Sequence, residues 1–191
     1  MSVNSILLTT LGLIILIIFL WYTVRLYNYL IGSKNAINYS LSSLDALLKK
    51  RHDLIPNLVK TVKRYMHHEA SLLRQITELR TMAATEDISI HDRMVLDSEM
   101  ARLTKNIVLY AENYPTLYAS DNFLQLQASL NEVEEQISAS RRALSASITD
   151  YNNAIQMFPT NIMAYLMGYK EFEWYSIPED ERQSPDVERL F

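Results

Sequence analysis

No charged side chain occurs between Met1 and Val24, and from Ile6 to Val24 the chain reads ILLTTLGLIILIIFLWYTV, an apolar run that Arg25 stops. These nineteen residues at the helical rise cover about 28 Å, close to a hydrocarbon core of about 30 Å, so the run predicts a membrane-spanning helix. Trp21 and Tyr22 stand at its end, where amphipathic rings favour the interface. A cleavable signal needs a basic start and a small-residue cleavage site. No Lys or Arg precedes Ile6, and Trp21, Tyr22 and Leu26 are bulky, so the run reads as a retained anchor. Arg25 and Lys34 follow the span and nothing basic precedes it. The positive-inside tendency therefore predicts the N-terminus outside and the remainder in the cytosol.

Beyond the anchor the apolar positions recur at helical spacing. Leu41, Leu48, Ile55, Val62 and Ile76 share one position of a seven-residue repeat, and Leu44, Leu58, Tyr65, Leu72 and Leu79 share the other. The repeat holds on both sides of Pro56, which predicts one helix carried through the proline with a kink. Arg51 and Glu69 fall on this seam, where a charge either snorkels or finds a partner in the bundle. A second seam joins Leu96, Met100, Leu103, Ile107, Tyr110 and Tyr114, with Pro115 as its stop. Ala84 to Ser89 separates the two, and Ser89 to Asp92 offers cap residues. A third begins at a cap, Asp121. Phe123, Leu130, Ile137, Leu144, Tyr151 and Phe158 mark one position, Leu126 and Val133 the other, and the latter turns small at Ser140, Ser147 and Ala154 before Pro159 closes the helix.

These seams predict an all-α protein: an N-terminal transmembrane helix, an antiparallel bundle of three long helices, a short C-terminal helix over Ile162 to Tyr169, and an extended tail. The expected divisions are an anchor over 1–26, a bundle over 27–169 and an acidic tail over 170–191. IMAYLMGY, Ile162 to Tyr169, is apolar nearly all round, which suits core packing, lipid contact or an oligomer contact.

Composition narrows the chemistry. Three glycines and five prolines in 191 residues agree with a helical chain, and the absence of cysteine removes disulfides, thiol catalysis and cysteine-ligated metals. The net charge of −4 is unevenly spread. Arg25 to Arg64 holds eight basic residues against Asp45 and Asp53, a net +6, and Glu171 to Phe191 holds seven acids against Arg182 and Arg189, a net −5. The basic stretch reads either as attraction to anionic headgroups or as a solvated helix face, and its length along a rigid helix favours the second.

Gly12, Gly32 and Gly168 stand apart, so no phosphate loop or nucleophile elbow can be built. His67, His68 and Glu69 lack a second histidine at position 72, which is Leu72, and read as a polar stripe. Glu132, Glu134 and Glu135 read as an exposed face. Nothing interleaves aromatic and basic residues for nucleic acid, so no nucleic-acid partner, cofactor or metal is expected.

Lys49 to Val62, KKRHDLIPNLVKTV, resembles the LemA family of single-pass bacterial membrane proteins. Tyr27, Asn28 and Leu30 match its element after the anchor, and Leu44 with Asp45 its apolar-Asp pair. Arg51, Asp53, Leu54, Ile55, Pro56, Asn57 and Leu58 lie in its basic-Asp-Leu-Ile-Pro-Asn-Leu-Val signature. Asn122, Phe123, Gln125 and Gln127 belong to a second block, NFLQLQ, and Arg141, Tyr151, Asn152, Phe158 and Pro159 continue the match. Leu41 stands where the family pattern has an aromatic, and Arg64 where it has glycine. The resemblance implies a helical bundle on an N-terminal anchor in the bacterial cytoplasmic membrane, N-terminus outside, and supplies no reaction.

The residues themselves suggest structural roles in the signature. Asp53 is expected to cap a helix restarting at Pro56, Asn57 to bond backbone groups freed by the proline, and Arg51 to pair with Asp45 or Glu134 across the bundle. A partner or self-association surface is the other reading. The function expected is a non-catalytic, homo-oligomeric or partner-recruiting scaffold on the cytosolic face of the membrane. Membrane organisation through lipid contact, as in magnetosome-type relatives, is the alternative. The anchor and first bundle helix are expected to form nearly one rod, interrupted at Gly32.

Overall fold

The computed structural model describes residues 3–83 and 90–172. They form α1 (Val3–Lys63), a 3-10 turn at His67–Glu69, α2 (Ala70–Ala83), α3 (Ile90–Ala111), α4 (Pro115–Tyr118), α5 (Asp121–Gln156) and α6 (Thr160–Leu166). No strand occurs among the described residues, so the all-α expectation holds; α1, α3 and α5 are the longest helices, but α3 runs parallel to α1 (Arg93 on Asp45, Asp97 on Arg51) where antiparallel neighbours were expected, because the shorter α2 makes the return between them. The break at Ala84 to Ser89 and the extended acidic tail from Glu173 onward, with Trp174, Tyr175, Pro178 and Pro185, lie outside the described residues.

α1 departs from the expected pattern in two places. Gly32 does not interrupt it, so anchor and first bundle segment are one helix, which runs through Pro56 as the seven-residue repeat predicts. The first seam, however, does not run on to Leu79 in one helix. α1 ends at Lys63, Tyr65 and Met66 both donate their N–H to the Val62 carbonyl, and the chain turns through His67–Glu69 into α2. Met66 takes the buried place and Tyr65 is left partly exposed. α3 stops at Ala111, short of Pro115, which instead opens α4 at the position where its missing N–H costs nothing. Tyr110 is exposed and Ala111 is buried in its stead.

The chain divides into two units, one comprising Met1–Tyr39 with Leu144–Phe191 and the other Ser40–Ala143. In the first, Leu30 of α1 is buried with Ala154 of α5 and Ala164 of α6, and Ile155, Met163, Met167 and Tyr169 pack around them. Ala154 is the small position expected to admit a close neighbour. Gly168 ends α6 at φ +66°, with its N–H on the Tyr165 carbonyl and that of Tyr169 on the Ala164 carbonyl. That pattern closes a helix end at a backbone geometry glycine adopts without a Cβ clash. Tyr169 then lies 4.8 Å beneath the Lys34 ammonium, measured to its ring centre. Apolar side chains of α1 from Leu7 to Val24 are exposed throughout, and this helix alone among those described is long and apolar enough to cross a membrane.

The second unit has the larger core. Ile55, Leu58 and Val62 of α1, Leu72 and Ile76 of α2, Met100, Leu103 and Ile107 of α3, Leu117 of α4, and Phe123 and Leu130 of α5 are buried together. α2 runs back along α1, since Arg80 reaches His52, and α3 runs forward beside it, since Arg93 pairs with Asp45 and Asp97 with Arg51.

Candidate functional site

The family-signature residues distribute over both units. Tyr27, Asn28, Tyr151, Asn152, Phe158 and Pro159 lie in the first, and Asp45 to Leu58, Asn122 to Gln127 and Arg141 in the second.

In the second unit the signature builds a buried charge cluster. Arg51 is 2 % exposed; its guanidinium donates to Asp97 Oδ1 at 2.6 Å and also pairs with Glu134. Asp97, 1 % exposed, takes Arg141 at 2.8 Å on Oδ2. Two arginines and two carboxylates thus balance. Glu134 is one of the two carboxylates expected for Arg51; the other, Asp45, instead holds Arg93 at 3.1 Å. Burial pushes the Asp97 carboxyl above the ordinary carboxylate range, against the pull of Arg51 and Arg141. Burial likewise lowers the His52 imidazole, whose Nε2 is enclosed without a hydrogen-bond partner.

Sequence reasoning missed Asp97. The signal was present, because Met94, Asp97, Met100 and Leu103 follow one another at helical intervals on the buried face of α3. An acid on one apolar face and Arg51 on another call for each other, since neither is stable alone in a dry core.

Two other expectations at the proline fail. Because α1 continues through Pro56, no helix start exists for Asp53 to cap, and Asp53 is exposed. The carbonyl that the proline leaves idle, that of His52, accepts Arg80 Nε at 3.2 Å, so Asn57 is not needed there.

Asn57 instead lines a groove of about 490 Å³. One wall is Asn57, Lys60, Thr61 and Arg64, with Tyr65 beyond; the other is Asn122, Gln125, Leu126 and Ser129, with Ser120 before them. Both walls are spaced i, i+3, i+4, i+7, so each is one helical face, polar apart from Leu126, with Arg64 just past the end of α1. The groove contains two cations and no carboxylate, and it joins the two most specific blocks of the signature. Ile55, Leu58 and Phe123 anchor those blocks in the core beneath, with Leu54 partly buried beside them. Gln127 and Arg51 line a separate cleft of about 510 Å³ with Glu134.

In the first unit Tyr151 and Asn152 hold the chain after α6. The Tyr151 hydroxyl donates to the Lys170 carbonyl at 3.0 Å. The Asn152 amide brackets Phe172, accepting its N–H at 2.9 Å and donating to its carbonyl at 3.0 Å. Burial and the neighbouring Tyr169 raise the Tyr151 phenol. Phe158, expected on the third seam, is exposed because α5 ends at Gln156. Pro159, expected to close α5, is the residue before α6.

Residues 40–188 match the sequence profile of the LemA family. Protein LemA of Metamycoplasma hominis is 25 % identical over 173 residues, covering 91 % of this chain and 79 % of that protein. Magnetosome protein MamQ 2 of Paramagnetospirillum magneticum is 21 % identical over 178 residues, 78 % of this chain and 64 % of that protein. Magnetosome protein MamQ of Magnetospirillum gryphiswaldense is 21 % identical over 189 residues, 84 % of this chain and 68 % of that protein. The chain thus spans about two thirds of the length of its magnetosome relatives. Membrane-protein relatives and the exposed apolar stretch of α1 together support membrane association. With the match extending over most of its length, the chain belongs to the LemA family.

Proposed function

We propose that the protein is a non-catalytic scaffold, anchored by α1 in the bacterial cytoplasmic membrane with its N-terminus outside. Its cytosolic helices recruit an acidic segment of a partner protein, or of a second copy, to the bilayer. The observation that carries this reading is the groove between Asn57, Lys60, Arg64 and Asn122, Gln125. It gathers cations and amides with no opposing carboxylate, and it is built from the two signature blocks. Each wall runs for about 10 Å, room for about three residues of extended chain. Amides bond a peptide backbone and the two cations favour carboxylates.

A photoreactive residue in place of Gln125, in the full-length protein in its native membrane, tests this. Crosslinks to a partner or a second copy are expected, and loss of these when Lys60→Glu and Arg64→Glu are introduced. Isolated monomers alone would sink the scaffold.

The second reading, membrane organisation through lipid contact, is favoured by the exposed apolar face of α6 and accords with the magnetosome names of two relatives.

A further inference from the structure

The first unit carries an apolar surface that its own core does not use. α6 turns Ala164 inward, with Met163 and Met167 against the core. Its opposite face presents Ile162, Tyr165 and Leu166, spaced i, i+3, i+4, and Tyr165 and Leu166 are 85 % and 73 % exposed. Met157 and Phe158, in the turn from α5, extend that face, Phe158 at 80 % exposure. Five large apolar side chains in ten residues of a water-facing turn are costly unless something covers them.

The register along α1 says what lies beside them. Within this unit α1 leaves at Tyr39 and α5 enters at Leu144, so the two run antiparallel, and Leu30 packs with Ala154. Phe158 is four residues beyond Ala154, and Leu26 four residues before Leu30. The turn between α5 and α6 therefore lies level with Leu26 to Asn28, within about one helical turn, or 5 Å, of Arg25, where the apolar run ends. Tyr27 and Tyr29, exposed on α1 at the same level, are residues that favour the interface. A headgroup layer extends about 5–8 Å from the hydrocarbon on each side of a bilayer. The exposed face of α6 begins inside that layer.

The charges nearby agree. Arg25 lies over Trp21, Lys34 over Tyr169, and Lys170 follows α6, while Asp150 and Glu171 are the acids among the described residues of this unit, Glu171 being held by Gln156. Among the described residues of the unit, three cations thus stand against two acids.

We infer that the turn from α5 and the outer face of α6 form a second membrane contact, in which Met157, Phe158, Ile162, Tyr165 and Leu166 insert into the headgroup–acyl boundary beside the exit of α1. α1 and α6 then hold the bilayer at two points, which fixes the first unit against the membrane surface where a single span leaves it free to tilt. The inference rests on α1 crossing the membrane, and the experiment separates the two.

The chain has no cysteine, so single labels are clean. Full-length protein carrying Leu16→Cys, Ala146→Cys, Tyr165→Cys or Leu166→Cys is labelled with bimane and reconstituted in phosphatidylcholine–phosphatidylglycerol vesicles, with and without brominated lipid. Ala146 is exposed on α5, eight residues from Ala154 on the side away from the turn. The expected result is strong quenching at position 16, about half as much at 165 and 166, and none at 146, as an interfacial helix requires. Quenching at 16 without quenching at 165 and 166 overturns the second contact and leaves the anchor intact. Absence of quenching at 16 overturns the span and with it the inference. Unquenched labels at 165 and 166 that a bis-maleimide joins between two chains would assign the face to a second copy, and also overturn it.

Discussion

Arg80 on α2 donates its Nε to the carbonyl of His52 at 3.2 Å, and His52 is the residue whose carbonyl Pro56 cannot satisfy. A helical N–H bonds the carbonyl four residues earlier, and proline has no N–H. α1 passes through Pro56 because a side chain from the returning helix replaces the missing bond.

This relationship predicts a dependence between two sites. Arg80→Ala leaves a part-buried carbonyl unpaired and is expected to cost about 1 kcal/mol or more. In a Pro56→Ala background, where the substituted residue supplies the N–H itself, the same change is expected to cost little. Denaturant unfolding of the four proteins of the cycle gives the coupling, and equal costs in both backgrounds would refute the compensation.

The cluster at Arg51 predicts an asymmetry among its acids. Asp97→Ala leaves the buried Arg51 guanidinium with no buried carboxylate, only Glu134, whose side chain is 50 % exposed, and the main-chain carbonyl of residue 97 at 3.3 Å, and is expected to cost about 3–5 kcal/mol. Glu134→Ala is expected to cost less, because water can reach the vacated position. Replacing Arg51 and Asp97 together by Met and Leu is expected to recover most of the loss, since it removes both desolvation penalties. Melting of the single and double variants decides this.

The same cluster shows where sequence reading succeeds and where it stops. Periodicity located most of the core, because burial repeats wherever a helix packs one face: Leu44, Leu48, Ile55, Leu58, Val62, Ile137 and Leu144 are all buried. Charge on a seam pointed from Arg51 to Glu134. The end of α1 at Lys63 was not legible, because Tyr65 and Leu72 keep the seven-residue count across a break. Asp97 was hidden by Leu96, an apolar neighbour one position away that offers an equally regular seam. The partnership of Arg80 with His52 depends on how α2 folds back, and no local pattern encodes that.

His52 gives a pH dependence. Burial, with Arg51 and Arg80 adding to it and Asp97 and Asp53 opposing, holds its folded pKa below the ordinary value of 6.5. The neutral ring is thus favoured in the fold, and below pH 6.5 the unfolded chain binds more protons. Its contribution to stability is full above that pH and is lost as pH falls through the folded pKa. The melting temperature is expected to fall between pH 7.5 and 5.5, and to fall less in His52→Leu. His67, His68 and His91 are common to both proteins, so equal falls would show that His52 contributes nothing.

Asn57 separates the structural reading of the signature from the recruiting one. It is exposed on the groove wall, and Arg80, not Asn57, satisfies the carbonyl freed by the proline. Asn57→Ala is accordingly expected to leave the unfolding free energy within about 0.5 kcal/mol of the parent, as a surface substitution does. If the groove recruits a partner, the same variant weakens crosslinking from position 125. If the signature serves only the fold, no crosslink forms from position 125 in either protein and the melting temperature drops in the variant. The neighbouring substitution Pro56→Ala provides the contrast, because it acts on α1 itself and is expected to change stability while leaving the groove wall, and capture through it, in place.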